Sequence, residues 1–126
     1  MSVRHQVRSK VERLFENLKE RADSGEFTLY CVYSPVYVQR ENLPASQISV
    51  EEFEFVDLKV NMGDTESVKK TLDRITREAL ENEVKGFYFL GMLLEKEGDY
   101  IISSENPIME ELKDSLIETI ERLREE

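Results

Sequence analysis

Apolar positions recur along this chain with two different periods. Between residues 2 and 23, Val7, Val11, Leu14 and Leu18 return at steps of four and three, Phe15 and Ala22 widen the stripe, and mostly charged residues fill the rest. That is the period of a helix with one buried face. Ser2 is placed to cap it and Gly25 to stop it. The stretch "EFTLYCVYSPVYVQRE", 26–41, is instead rich in aromatic and β-branched residues and reads as a strand. Pro35 cannot donate to a ladder, which places this strand at or near a sheet edge, at the least beyond residue 34. A loop over "NLPASQIS" follows, and Ser49 with Glu52 has the spacing of a capping box, enough to start one helical turn. From Val56 the alternation with Leu58, Val60 and Met62 predicts a second strand. Phe53 and Phe55 fall out of phase with it, and a bulge near 55 would reconcile them.

The segment from Gly63 to Gly86 is the clearest helix. Asp64 or Thr65 caps it, Val68, Leu72, Ile75 and Ala79 form its stripe, and Gly86 follows as a stop. Next comes "KGFYFLGMLLEKEGDYII", which predicts a β-hairpin with strands over 86–95 and 99–104 and a turn at Gly98 and Asp99. Strict alternation points Phe87, Phe89 and Leu93 one way and Tyr88, Leu90, Met92 and Leu94 the other. Both faces are apolar, so both need cover. Gly91 inside the strand marks a bulge or the close approach of another backbone. Asn106 and Pro107 then open a last helix with Met109, Leu112, Leu116, Ile120 and Leu123 on one face. The order αββαββα predicts one α+β domain over 1–126, with a mostly antiparallel sheet of about four strands and three helices packed on it.

Charge and composition narrow the function. The chain has 126 residues, a formal net charge of −10, one cysteine and one histidine. An acidic surface repels phosphate backbones, so nucleic acid is an unlikely partner. Cys31 and His5 alone cannot build a thiolate or histidine metal site, a disulfide or a nucleophile–histidine pair within one chain. No cofactor is implied: Gly86 and Gly91 match neither phosphate-cradling pattern. No apolar run reaches the roughly 20 residues that span a bilayer, and residues 1–20 carry charges throughout, which leads us to expect a cytoplasmic protein with no membrane partner. Heavy use of Glu with Lys and Arg resembles proteins of heat-loving organisms.

Two sets of residues are candidates for function. Tyr30, Tyr37 and Arg40 are suited to stacking on a flat ligand, and Asp57 with Lys59 has the acid-x-lysine spacing of metal-dependent nucleases, in which Glu12 or Glu16 of the first helix would add a carboxylate. Tyr30 and Tyr33 differ in parity and cannot share a strand face. Against this enzyme or small-ligand reading stands a non-enzymatic interaction or regulatory module. Its candidate interface is Val7, Val11, Leu14 and Leu18 on the first helix with Tyr88, Leu90 and Met92 on the two-faced strand, shared with a second copy or another protein. The element order is loosely similar to that of the small roadblock-type dimerisation domains, with one strand fewer and a long Pro-containing loop where those have a tight Gly turn. No motif carries a residue across, and the interaction module is the favoured expectation.

Overall fold

A computed structural model describes residues 3–35 and 47–125. Helix α1 (Val3–Arg21) leads into β1 (Glu26–Pro35), a 3-10 turn (Val50–Glu52) precedes β2 (Glu54–Asn61), and α2 (Thr65–Val84) follows. The hairpin β3 (Phe87–Lys96) and β4 (Asp99–Ser103) comes next, then the short α3 (Ile108–Glu111) and α4 (Lys113–Arg124). The expected order and α+β class hold. Four antiparallel strands lie in the order β2-β1-β3-β4.

Each face of the sheet has its own core. On one, α1 and α2 bring Val11, Leu14, Leu18, Ile75 and Ala79 against Leu29, Leu58, Val60, Met92 and Leu94. On the other, α3 and α4 bring Ile108, Met109, Leu116 and Ile120 against Tyr30, Val32, Leu90, Leu93 and Ile102, with Val50 and Phe53 of the 3-10 turn beside them. The helices therefore cover both apolar faces of β3 from within one chain. Val11, Leu18 and Met92 have no exposed surface, Leu14 and Leu90 almost none, and Val7 packs at the margin of the first core. Of the residues proposed for a shared core, Tyr88 alone stands open, at 52% exposure. The α1 stripe is consumed inside the chain.

Three local expectations change. First, β1 is an interior strand, flanked by β2 and β3, because its pairing with β2 ends at Tyr33 opposite Glu54 while its pairing with β3 runs on to Pro35 opposite Phe87. Pro35 thus sits where the β2 side has already opened and its missing N–H costs no bond. Second, β2 runs from Glu54 to Asn61 against β1 without a register shift. Phe53 and Phe55 serve the α4 core while Val56, Leu58 and Val60 serve the other, so no bulge is needed. Third, the irregularity falls in β3, where Val32 opposes Gly91 and Tyr33 opposes Phe89, leaving Leu90 as the extra residue. Beyond it the parity of β3 inverts: Met92 and Leu94 join Phe89 on the α1 and α2 side, and Leu93 joins Leu90 on the other.

The bulge is held by side chains. Lys10 Nζ donates to the Phe89 carbonyl at 2.8 Å and Ser104 Oγ to the Leu90 carbonyl at 2.7 Å, so backbone groups displaced from the ladder keep partners. A Cβ on Gly91 would stand 2.5 Å from Met109 Sδ and 2.8 Å from the Ser103 carbonyl oxygen, which is the close backbone approach expected there. Glu97 and Gly98, both with positive φ, make the two-residue turn of the hairpin, one position earlier than the sequence suggested. The last helix is broken at Leu112, whose φ of −94° and ψ of 5° leave the helical region, and Asn106 Oδ1 accepts from Ile108 N at 3.0 Å ahead of it. Among the described residues, no helix is long and apolar enough to cross a membrane.

Candidate interaction surface along the second strand

The two edges of the sheet are finished differently. At β4, Arg21 of α1 reaches across and donates to the Ile102 carbonyl at 2.7 Å, while Ser103 Oγ donates to the Leu14 carbonyl at 2.8 Å. The first helix therefore ties that edge down. At β2 no strand of the described residues lies outside. Its ladder phase follows from one bond: Met62 N donates to the Gly25 carbonyl at 2.8 Å, continuing the register in which Glu26 opposes Asn61. Gly25 and Met62 thus form a hydrogen-bonded pair whose backbone groups turn toward each other, Glu26 and Asn61 beside them do not, and the sense alternates along the strand. Even-numbered positions of β2 hence face β1, and Phe55, Asp57, Lys59 and Asn61 turn their N–H and C=O outward. Consistent with this phase, the Asn61 N–H is bound from outside the sheet by Ser67 Oγ at 2.9 Å.

The side chains of this outward set share a face with α4. Asp57 lies opposite Tyr30 and Lys59 opposite Thr28, and Lys59 Nζ donates to Thr28 Oγ1 at 2.8 Å. The structure therefore brings Tyr30, Asp57 and Lys59 onto one surface; Tyr37 and Arg40 lie outside the described residues. Beside them a groove of about 210 Å³ is lined by Tyr30, Phe55, Asp57, Ile120, Leu123 and Arg124. Arg124 Nη1 stands 3.6 Å from Glu95 Oε1, a carboxylate that also accepts from Gly98 N at 3.1 Å. Tyr30 is almost wholly buried, and burial pushes its hydroxyl above the ordinary phenol range against the opposing pull of the Arg124 charge. It is a floor, not an open stacking platform. Phe55, Leu123 and Arg124 were not singled out from the sequence as site residues; the trace they left is that Leu123 and Arg124 continue the Leu116–Ile120 face by one turn, to the end of the helix that overlies β2.

The chemistry available here is limited by what does not converge. The α1 and α4 cores lie on opposite sides of the sheet, so the carboxylates of Glu12 and Glu16 have the sheet between them and the pair Asp57 and Lys59. Glu12 is engaged with Arg8 at 3.0 Å. Among the described residues, no group of three or more His, Cys, Asp or Glu side chains comes together as a metal site would. A second hollow, about 130 Å³ between α1, α2 and β3, contains Lys10, whose ammonium lies 4.7 Å from the Tyr88 ring centre. Burial draws its pKa below the usual lysine value. Its bond to Phe89 already gives it a structural task.

No protein-family model matches this sequence, and no solved structure matches it. An uncharacterised protein of Aquifex aeolicus (strain VF5) is 33% identical over 129 residues, taking in all of this chain and 99% of that protein. The chain belongs to the family of that protein. The likeness runs end to end and so takes in the sequence of β2, of the groove and of α4.

Proposed function

We propose that this family member is a non-enzymatic interaction or regulatory module of the cytoplasm, and that its working surface is the outward edge of β2, with a second copy or another protein as the partner. The observation that carries the reading is the contrast between edges: β4 is tied down by Arg21 and Ser103, whereas Phe55, Asp57 and Lys59 turn backbone groups outward, beside the groove, with no strand of the described residues next to them. An extended chain added to such an edge gains main-chain hydrogen bonds, and side-chain pockets beside it give selectivity. The two covered faces favour this, because a partner need not open the core. Against a small-ligand site, the groove is smaller than the roughly 300–1,000 Å³ of sites that enclose a drug-sized molecule. Against an enzyme, Asp57 and Lys59 stand exposed on the surface, and among the described residues no group of three His, Cys, Asp or Glu side chains gathers there.

Asp57→Pro tests the reading. Its N–H points away from β1, so proline there removes an outward donor and leaves the internal ladder intact, as proline on edge strands does. The expected result is an unchanged far-ultraviolet circular dichroism spectrum with loss of association, read by sedimentation velocity for self-association and by affinity capture for other proteins. Association that survives Asp57→Pro would move the working surface elsewhere. A wild-type chain that binds no protein, itself included, would sink the module.

A further inference from the structure

Resting on the reading of β2 as a binding edge, we infer that its partner is a second copy of this chain, paired antiparallel through β2 about a two-fold axis that passes beside Leu58 and runs perpendicular to the sheet. Symmetric pairing requires that a residue i oppose a residue j with i and j exchanging roles between copies. Only outward-facing residues can bond across the edge, and these are the odd-numbered ones, so the axis must pass through a β2 position that pairs odd with odd. Four centres leave most of the strand overlapped. Centring on Val56 sets Phe55 against Asp57 and matches no opposite charges. Centring on Asp57 sets Asp57 against itself, and centring on Lys59 sets Lys59 against itself; like charges directly opposite destabilise a strand pair. Centring on Leu58 sets Asp57 of each copy opposite Lys59 of the other, on the same face, twice by symmetry. The register with the best charge match is also one that the ladder phase allows.

The residues at these positions suit the arrangement in further ways. Phe55 falls opposite Asn61, whose N–H is bound to Ser67 and whose carbonyl accepts from Asp64 N at 3.1 Å, so the bonds across the junction are those of Asp57 and Lys59 and the pairing stops cleanly at the start of α2. Leu58 at the axis points into the α1 and α2 core and is 5% exposed, so the junction places no charge there. Edge strands of monomers are commonly blunted by charge. Here the two charges are opposite in sign and two residues apart, which invites a copy in one register and repels it in the neighbouring ones. Perpendicular two-fold symmetry places the α1 and α2 layers of both copies on one side of a continuous sheet, and the closed pair leaves only the tied-down β4 edges at its ends.

A charge exchange decides the matter. Asp57→Lys places two lysines opposite two lysines in the pair, and Lys59→Asp places two aspartates opposite two aspartates. Each variant alone is expected to dissociate with a constant raised roughly tenfold or more, because the two-fold repeats every reversed contact. An equimolar mixture restores both oppositely charged contacts, so native mass spectrometry is expected to find the mixed dimer in excess over either variant's own. Variants that dimerise as the wild type does, or a mixture with no preference for the mixed pair, would overturn the inference. So would a wild type that stays monomeric when concentrated, or one that grows without limit as a head-to-tail edge contact would. In the monomeric case, loss of some other bound protein on Asp57→Pro would leave the edge reading standing while the second copy is excluded. Should a variant misfold, amide exchange on the wild type gives the answer: the Asp57 and Lys59 amides must slow with rising protein concentration, and exchange independent of concentration refutes the pairing.

Discussion

Cys31 shows how far burial alone governs a residue's chemistry. It is fully enclosed between the sheet and the α1 and α2 layer, and desolvation of the thiolate pushes its pKa from 9.0 up to about 12. A thiol of this kind is inert in the folded protein. We expect a disulfide reagent at pH 8 to react with Cys31 only as fast as the chain opens, and to react at once in guanidinium chloride; rapid labelling of the native protein would show that the site is accessible. The same shift sets a pH dependence. Above pH 9 the unfolded chain loses the proton while the folded chain keeps it, so the folded state binds more protons and stability falls as pH rises toward 12. The loss is about 1.4 kcal/mol for each unit of pKa difference. Urea titrations between pH 8 and 11 are expected to show this decline, and Cys31→Ala, although less stable at pH 7, is expected to show a shallower one. Tyr33, Tyr30 and Tyr100, raised in the same direction by burial, add to the slope, and Lys10, drawn down by burial, opposes it.

At the scale of elements, the bulge in β3 has the largest consequence. By inserting Leu90, it lets one strand present Phe89, Met92 and Leu94 to the first core and Leu90 and Leu93 to the second. Gly91 makes this possible, since a methyl group there would press on the Ser103 carbonyl and on Ser104 Cβ, both at 2.8 Å, as well as on Met109. Met109 is a flexible side chain that can turn away; the backbone of β4 is not. Gly91→Ala is therefore expected to cost about 1–3 kcal/mol, the usual range for overpacking a filled interior. A urea midpoint unchanged from wild type would mean that β4 and α3 shift freely. Periodicity announced α1, α2 and the last helical segment, though not its break at Leu112, and the caps and stops at Asp64, Gly86 and Asn106 lie where the sequence put them. The glycine in β3 was legible as a bulge or a close approach and is both. The second bulge read near Phe55 is absent because the out-of-phase phenylalanines have a core of their own, which a one-sided sheet would not have offered.

The whole molecule is a sheet between two independent apolar layers, and its energetics should divide accordingly. Ile75 of the first layer and Ile120 of the second are both essentially buried and belong to separate clusters. Ile75→Val and Ile120→Val should each cost about 0.5–1.5 kcal/mol. Because the sheet separates them, the double variant should lose the sum of the two to within about 0.5 kcal/mol, measured by urea unfolding at one fixed protein concentration. A larger discrepancy would mean that the layers communicate through β1 and β3. Net charge acts at this scale as well: an excess of acidic groups on the surface, −10 formally, opposes non-specific association and leaves close charge matching as the way for copies to meet.

Local pattern was sufficient for the helices, the turns, the α+β class and the two-sided character of β3, because periodicity, caps and glycine stops are properties of neighbouring residues. Strand neighbours are not. Whether β1 lay inside or at the rim depended on where β2 stopped pairing with it, a contact across the 36–46 segment that Pro35 could not report. The same holds for the working surface. Asp57, Lys59 and Tyr30 drew notice as residue types, yet only the tertiary structure put them on one face, set α1 and its carboxylates on the other, and fixed by the bond from Met62 to Gly25 which backbone groups of β2 turn outward. The α1 stripe carried no mark in the sequence to say whether a helix of the same chain or a partner would cover it. Apolar surface is non-directional, and only the packed arrangement of all the layers decides what it meets.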